Sequence, residues 1–347
     1  MRIIELRSDT FTQPTDAMRR AMAAAEVGDD QYGEDPTVAR LEARGAEIVG
    51  KDAAMLVPSG TMGNLCGILA QTERGDEVVL GELSHLVQNE MGSYAVFGAL
   101  HARTVPNHDG LPRLDDLRAA IRPAGKFART ALVCLENSHN NCGGSVITPA
   151  ETRAVADLAH GRGTRVHLDG ARIFNAALAL GTDARALSAP VDTIQFCFSK
   201  GLSAPVGSLL CGPRETIAEA RRVRQMLGGA MRQSGVIAAA ALIALDEMRE
   251  RLAEDHANAR TLAEGLAAIA GIRIEPRRVV TNILGFEIDA ARMEAGAFQR
   301  ACAEQGLRLS RYLGDSPRLR MVTHRGVSPG DVQAALTIVA RVLASPA

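Results

Sequence analysis

Short apolar runs alternate along this chain with longer segments whose apolar positions recur at helical spacing. The runs at 53–57, 77–80, 130–135, 165–168, 193–198 and 208–211 are short, mostly apolar and bounded by polar or glycine-bearing turns, which predicts strands. Segments 60–72, 114–121, 149–160 and 214–226 between them predict helices. Strands that alternate with helices indicate a mostly parallel sheet covered on both faces. An alanine-rich stretch over 234–270, free of proline, then carries the chain out of the pattern. Beyond it lie an apolar run at 279–288, a helix near 292–305, a strand at 319–322 and a closing helix over 328–343. This is the make-up of a small α+β unit. The expectation is a large α/β domain over 1–250, N-terminal segment included, followed by a small C-terminal domain over 251–347.

Composition narrows the class without changing this picture. A chain of 347 residues exceeds the usual single-domain size, and 46% hydrophobic content supports a large core. A formal net charge of -1 leaves no electrostatic footprint for nucleic acid. The first residues lack the apolar stretch of a secretory signal, and no apolar run is long enough to span a bilayer, so a cytoplasmic location is expected. Cys66, Cys134, Cys142, Cys197, Cys211 and Cys302 show no paired spacing and mostly sit in apolar segments, which suits buried small side chains rather than disulfides or metal ligands.

The candidate chemistry sits at strand ends. Lys200, in Ser199-Lys200-Gly201, closes the run at 193–198, and Asp169, in Asp169-Gly170-Ala171-Arg172, closes the run one βα unit upstream. Taken singly, such a lysine reads as a solvated loop residue. Together the two look like the ends of a pyridoxal 5'-phosphate site. A Schiff-base lysine needs a rigid mount, and a carboxylate must keep the cofactor's pyridine nitrogen protonated. The phosphate needs a cradle, and Ser59-Gly60-Thr61 follows a predicted strand and opens a predicted helix, where free N–H groups face an anion. The same turn serves equally as a helix cap. No lysine follows these glycines, which argues against a nucleotide triphosphate. Ser199 adds a hydroxyl beside the same anion.

These segments, in this order, resemble the low-specificity L-threonine aldolases, enzymes of the aspartate aminotransferase fold type (fold type I). The resemblance runs through Leu6-Arg-Ser-Asp-Thr10, the 27–38 loop with Tyr32, Ser59-Gly-Thr61, Ser84-His85 with Glu90, and Glu136-Asn-Ser-His-Asn140. It continues through Asp169-Gly-Ala-Arg172, Ser199-Lys-Gly201, Met231-Arg-Gln-Ser-Gly235 and Arg320-Met-Val-Thr-His324. It implies a seven-stranded, mostly parallel sheet in the large domain and pyridoxal phosphate carried on Lys200. Asp169 would pair with the ring nitrogen and His85 would stack on the ring. His139 would lie near the substrate hydroxyl, with Tyr32 close to the site. Ser8, Arg172 and Arg320 would hold the amino-acid carboxylate. Arg232 would reach the phosphate of a neighbouring subunit, in a homodimer that shares active sites and pairs into a tetramer.

The implied reaction cleaves L-threonine, L-allo-threonine or a related β-hydroxy-α-amino acid to glycine and an aldehyde. Either His85 or His139 would take the hydroxyl proton. The other histidines, His101, His108, His160, His167, His256 and His324, read as surface or structural groups. Two departures from the family pattern, Leu86-Val-Gln-Asn-Glu90 after His85 and Gln225 where some members carry a lysine, lie near the site and bear on aldehyde preference. A β-eliminating lyase or a glycine-transferring transaldolase of the same fold remains the alternative, while a non-catalytic carrier would need neither Arg172 nor His139.

Overall fold

Apolar runs this continuous require burial on both faces, and the computed structural model, which describes residues 2–122, 125–314 and 316–344, shows how they obtain it. In chain order the strands are β1 (Ile4–Glu5), β2 (Ala53–Val57), β3 (Glu77–Gly81), β4 (His101–Val105), β5 (Thr130–Glu136), β6 (Arg165–Asp169), β7 (Thr193–Cys197) and β8 (Ser208–Gly212). They continue with β9 (Ile272–Arg273), β10 (Ile283–Ile288), β11 (Leu307–Arg308), β12 (Ser310–Arg311) and β13 (Arg318–Val322). Seven of them form one sheet in the order β2-β8-β7-β6-β5-β3-β4. Neighbours from β7 to β4 run parallel, and β8 is antiparallel to both β2 and β7.

All six apolar runs became strands of this sheet. The seventh, β4, escapes a hydrophobic reading because His101-Ala-Arg-Thr-Val105 lies at the edge, where His101, Ala102 and Thr104 stay exposed and polar side chains are the norm. Phe196 and Phe198 pack edge-to-face at 5.5 Å between ring centres, and Phe174 meets Phe196 at 5.3 Å. Burying each such ring contributes roughly 1.5–3 kcal/mol before chain entropy is counted.

The alanine-rich stretch is two helices, Gly235–Glu247 and Leu252–Ala267. The first packs against helices Asp16–Ala23 and Pro36–Val49 beside the large sheet. The second enters another core, where Leu262, Leu266, Phe286, Phe298, Met321 and Val339 are buried together. The break between them holds residue 250, where we propose that the large unit ends. The second core is roofed by the antiparallel sheet β12-β13-β10-β9 and by helices Ala295–Glu304 and Pro329–Ala344. The N-terminus crosses over to join it: β1 pairs in parallel with β11, and Ile4 and Leu6 are buried in this core. Leucine spacing in one short segment carries no record of that partner. Among the described residues, no helix is long and apolar enough to cross a membrane.

Candidate active site

Parallel strands end together, and the carboxyl ends of β5, β6 and β7 deliver Glu136, Asp169 and, three residues past its strand, Lys200 to one edge of the sheet. Such edges are where open α/β sheets bind ligands. Lys200, Ser199, Asp169, His85, Gly60 and Thr61 line a common cavity of about 190 Å³, with Asn64, Glu90, Ala171, Gln195 and Cys197 completing its walls. Opposite the strand ends, helix Gly60–Leu69 points its N-terminus at the cavity, capped by the Ser59 hydroxyl, which accepts from the Met62 N–H at 3.2 Å. A Cβ at position 60 would stand 2.7 Å from Cys197 Sγ, so only glycine lets this turn approach the strand so closely.

Asp169 is buried and accepts three hydrogen bonds, from Asn64 Nδ2 at 2.9 Å, Gln195 Nε2 at 2.8 Å and the Ala171 N–H at 3.0 Å. Burial pushes its carboxyl up, but the charges of His85 and Lys200 and these donors outweigh burial and hold it below the ordinary carboxylate range. His85 opens the short helix His85–Gln88, its backbone N–H anchored on Glu136 Oε2 at 2.7 Å. Its ring Nδ1 lies 2.8 Å from Glu90 Oε1. Burial lowers the imidazole pKa, yet the bond to Glu90 and the charge of Asp169 carry it above its usual value. Burial also raises Glu90, so the pair retains its proton to higher pH than either partner would alone.

Two arginines stand beside this cavity. Arg172 donates to both oxygens of Asp9, at 2.8 and 2.7 Å, and its Nη1 reaches Asn140 Oδ1 at 3.3 Å. Arg320 donates to the same Asn140 oxygen at 2.9 Å, but its Nε is buried without a partner. Among the described residues no carboxylate lies within ion-pair distance of Arg320. Burial and the neighbouring Arg172 charge depress its pKa.

Other residues singled out in the sequence do not line the Lys200 cavity themselves. Ser8 caps the turn Asp9–Phe11, its hydroxyl accepting from the Thr10 N–H at 3.2 Å. Ser59 is exposed. Tyr32 is 76% exposed and lines a separate surface cleft with Arg224 and Met226. Arg232, its side chain 57% exposed, lies 3.4 Å from Asp29. His139 is buried and outside the cavity wall, its Nε2 3.3 Å from Asn107 Nδ2. Asn107 Oδ1 accepts from the Leu83 N–H, which turns the Asn107 nitrogen toward His139, and Glu136 Oε2 stands 3.8 Å from the same Nε2. Asp9, Asn64, Asn140 and Gln195 carried no assigned role in the sequence. Asn64 and Gln195 did leave a signal there, as solitary polar residues inside apolar segments that the fold buries.

The beta-eliminating lyase family model matches residues 5–291. Low-specificity L-threonine aldolase 1 of Arabidopsis thaliana is 45% identical over 97% of this chain and 95% of its own length. The low specificity L-threonine aldolase of Escherichia coli K12 is 41% identical over 94% and 95%. The chain belongs to the low-specificity L-threonine aldolase family. A solved structure of Leishmania major threonine aldolase superposes with a TM-score of 0.82 over 97% of this chain and 99% of that one, at 19% identity, so the family fold persists where little sequence does.

Pyridoxal phosphate fits the donor set of this family member. Asp169, ionised and held by three donors, suits a protonated ring nitrogen, and the His85 ring forms one wall of the slot. The glycine turn at the helix N-terminus suits the phosphate. Lys200 shares that cavity.

Proposed function

We propose that this chain cleaves L-threonine, L-allo-threonine and related β-hydroxy-α-amino acids to glycine and an aldehyde, with pyridoxal phosphate on Lys200. The observation that carries this reading is the meeting of Lys200, Asp169 and His85 in one cavity, with Arg320, a half-buried guanidinium that has no carboxylate partner among the described residues, joined to Arg172 through Asn140. A lyase for amino acids needs a fixed cation for the substrate carboxylate, and Arg320 is free to take it. Arg172, engaged on Asp9, offers only Nη1.

When bound, pyridoxal phosphate supplies the electron sink that makes Cα–Cβ cleavage possible. The chain's own residues hold and prepare it. Asp169 keeps the ring nitrogen protonated, and Gly60, Thr61, Ser59 and Ser199 receive the phosphate. His85 takes the proton from the β-hydroxyl at Nε2. Its Nδ1 is committed to Glu90, which leaves Nε2 facing the cavity and raises its basicity. His139 lies outside the cavity wall, beside Asn107. Tyr32 and Arg232, both well exposed on their own chain, complete the site of a second copy in a cytoplasmic homo-oligomer, a tetramer of site-sharing dimers.

The test is a product assay. Purified, cofactor-loaded protein given L-threonine should yield glycine and acetaldehyde in equal amounts, and borohydride reduction should fix the cofactor on Lys200 rather than on Lys51 or Lys126, the other two lysines of the chain. 2-Oxobutyrate with ammonia in place of the aldehyde would establish β-elimination instead.

A further inference from the structure

His167 lies in β6 two residues before Asp169, so both side chains project from the same face of the sheet. It is fully buried and reaches no substrate surface. Its ring Cε1 would stand only 2.8 Å from a Cβ at position 67, so Gly67 is what admits the ring between sheet and helix. Each ring nitrogen has one polar neighbour, Thr193 Oγ1 on Nδ1 at 2.8 Å and Asn64 Oδ1 on Nε2 at 3.1 Å.

The direction of every hydrogen bond in this chain follows from its two ends. At the outer end, Gln71 Nε2 lies 2.7 Å from the Gly67 carbonyl, which can only accept, so that nitrogen is correctly placed and its second N–H points at Thr193 Oγ1, 2.8 Å away. The Thr193 hydroxyl thus receives from Gln71 and donates to His167 Nδ1. The ring proton then resides on Nε2 and is given to Asn64 Oδ1. At the inner end, Asn64 Nδ2 lies 2.8 Å from Glu90 Oε1 and 2.9 Å from Asp169 Oδ2. An ionised Asp169 can only accept, so the amide must turn its nitrogen inward and its oxygen toward His167. The two ends assign the same tautomer independently. Burial holds the imidazole at about 4, well below its ordinary value, which keeps the ring neutral, with one donor and one acceptor.

We propose that His167 is a positioning residue of this site: its Nε2–H locks the Asn64 amide in the one orientation that places N–H groups on both Asp169 and Glu90. Among the described residues Asn64 is the side chain that bridges these two carboxylates, and Glu90 in turn holds His85. A ring buried behind the sheet thereby sets the geometry of the group under the cofactor nitrogen and of the histidine above the ring. Without the Nε2–H, the Asn64 amide can rotate and present its oxygen to Asp169, two acceptors facing each other. This inference rests on the reading of Asp169 as the partner of the ring nitrogen.

The first measurement needs no cofactor. In full-length protein labelled with ¹⁵N at histidine, His167 should show a protonated Nε2 and a bare Nδ1 near neutral pH; a proton on Nδ1, or on both nitrogens, overturns the proposal. The second uses His167→Phe, which keeps an aromatic ring and removes both bonds, and Thr193→Val, which deletes only the hydroxyl that sets the tautomer. Cofactor dissociation constants should rise about tenfold in the first variant and less in the second, as is usual when the support of a binding group is lost. The ¹⁵N shift of ring-labelled pyridoxal phosphate should move toward the unprotonated form in the same order. Folded variants with unchanged cofactor affinity and an unchanged ring-nitrogen shift would reduce His167 to packing. The expected tautomer in a protein that makes no aldehyde would overturn the aldolase reading and leave the hydrogen-bond chain standing. The reversed tautomer in an active aldolase would overturn the chain alone.

Discussion

Arg172 donates two parallel hydrogen bonds to Asp9, from Nε at 2.8 Å and Nη2 at 2.7 Å, and the two side chains are buried together. They are far apart in sequence, so the pair ties the N-terminal segment to the strand-end loop that follows Asp169. Removing one partner strands the other charge in the interior. Asp9→Ala should therefore lower the unfolding free energy by about 3–5 kcal/mol, measured by urea denaturation of the cofactor-free protein. A loss of less than about 1 kcal/mol would mean that solvent reaches Arg172.

The same pair predicts a pH dependence. Burial pushes the Asp9 carboxyl up, but the Arg172 charge and hydrogen bonds, with help from Lys200 and Asn282, bring it well below the ordinary carboxylate range. A group whose folded pKa is depressed contributes stability above its unfolded pKa, and that contribution fades as pH falls through the folded one. The stability gap between the wild-type protein and Asp9→Asn should thus be widest near neutral pH and shrink steadily below about pH 4. A gap that is constant with pH would sink this account.

What the sequence disclosed, and what it withheld, follows from this kind of partnership. Runs such as Thr130–Glu136 are buried on both faces, so their composition alone marks them as strands, and the lysine and aspartate at strand ends were legible for the same reason. The exposed edge strand His101–Val105 was not, because nothing apolar marks it. His167 read as one structural histidine among six. Its significance lies in Thr193 and Asn64, which the fold brings from other elements. Asp9, the partner that occupies Arg172, was invisible in the same way. Residue identity showed the chemistry present at each position, whereas pairing across the fold decides which groups remain free to act.

The bond between His85 and Glu90 gives a kinetic prediction. Glu90 raises the His85 pKa, and a base acts only when unprotonated, so its pKa sets the acid limb of kcat/KM. Glu90→Gln removes the carboxylate while keeping an acceptor for Nδ1. The acid limb should move to lower pH, and the plateau should fall roughly tenfold as the base weakens. An unmoved limb would take the role of base away from His85.

Site sharing can be tested by complementation. If Arg232 serves the cofactor of a second copy, Lys200→Ala and Arg232→Ala chains that are inactive alone should regain activity when unfolded and refolded together. Half the dimers of an equal mixture would be mixed, each with one intact site, giving about a quarter of wild-type activity. Lack of recovery would place Arg232 on its own chain's site or on none.

Arg320 sets function against stability. The residue is half-buried near Arg172, it donates to Asn140 Oδ1 at 2.9 Å, and its buried Nε has no partner. Before substrate arrives, this arrangement keeps part of a charge out of water with no carboxylate in ion-pair contact among the described residues, which is unfavourable. Arg320→Met fills similar volume with apolar atoms and removes that charge. The cofactor-free variant should be at least as resistant to urea as the wild type, with a gain of up to about 2 kcal/mol. Its KM for threonine should rise at least thirtyfold, equivalent to about 2 kcal/mol or more, because the carboxylate loses its charged partner. Cofactor absorbance should be unchanged, since Arg320 does not line the Lys200 cavity and its hydrogen bond goes to Asn140. A variant that loses stability and keeps its KM would show that the cation is balanced within the fold, and carboxylate recognition would then fall to Nη1 of Arg172, the nitrogen not engaged on Asp9.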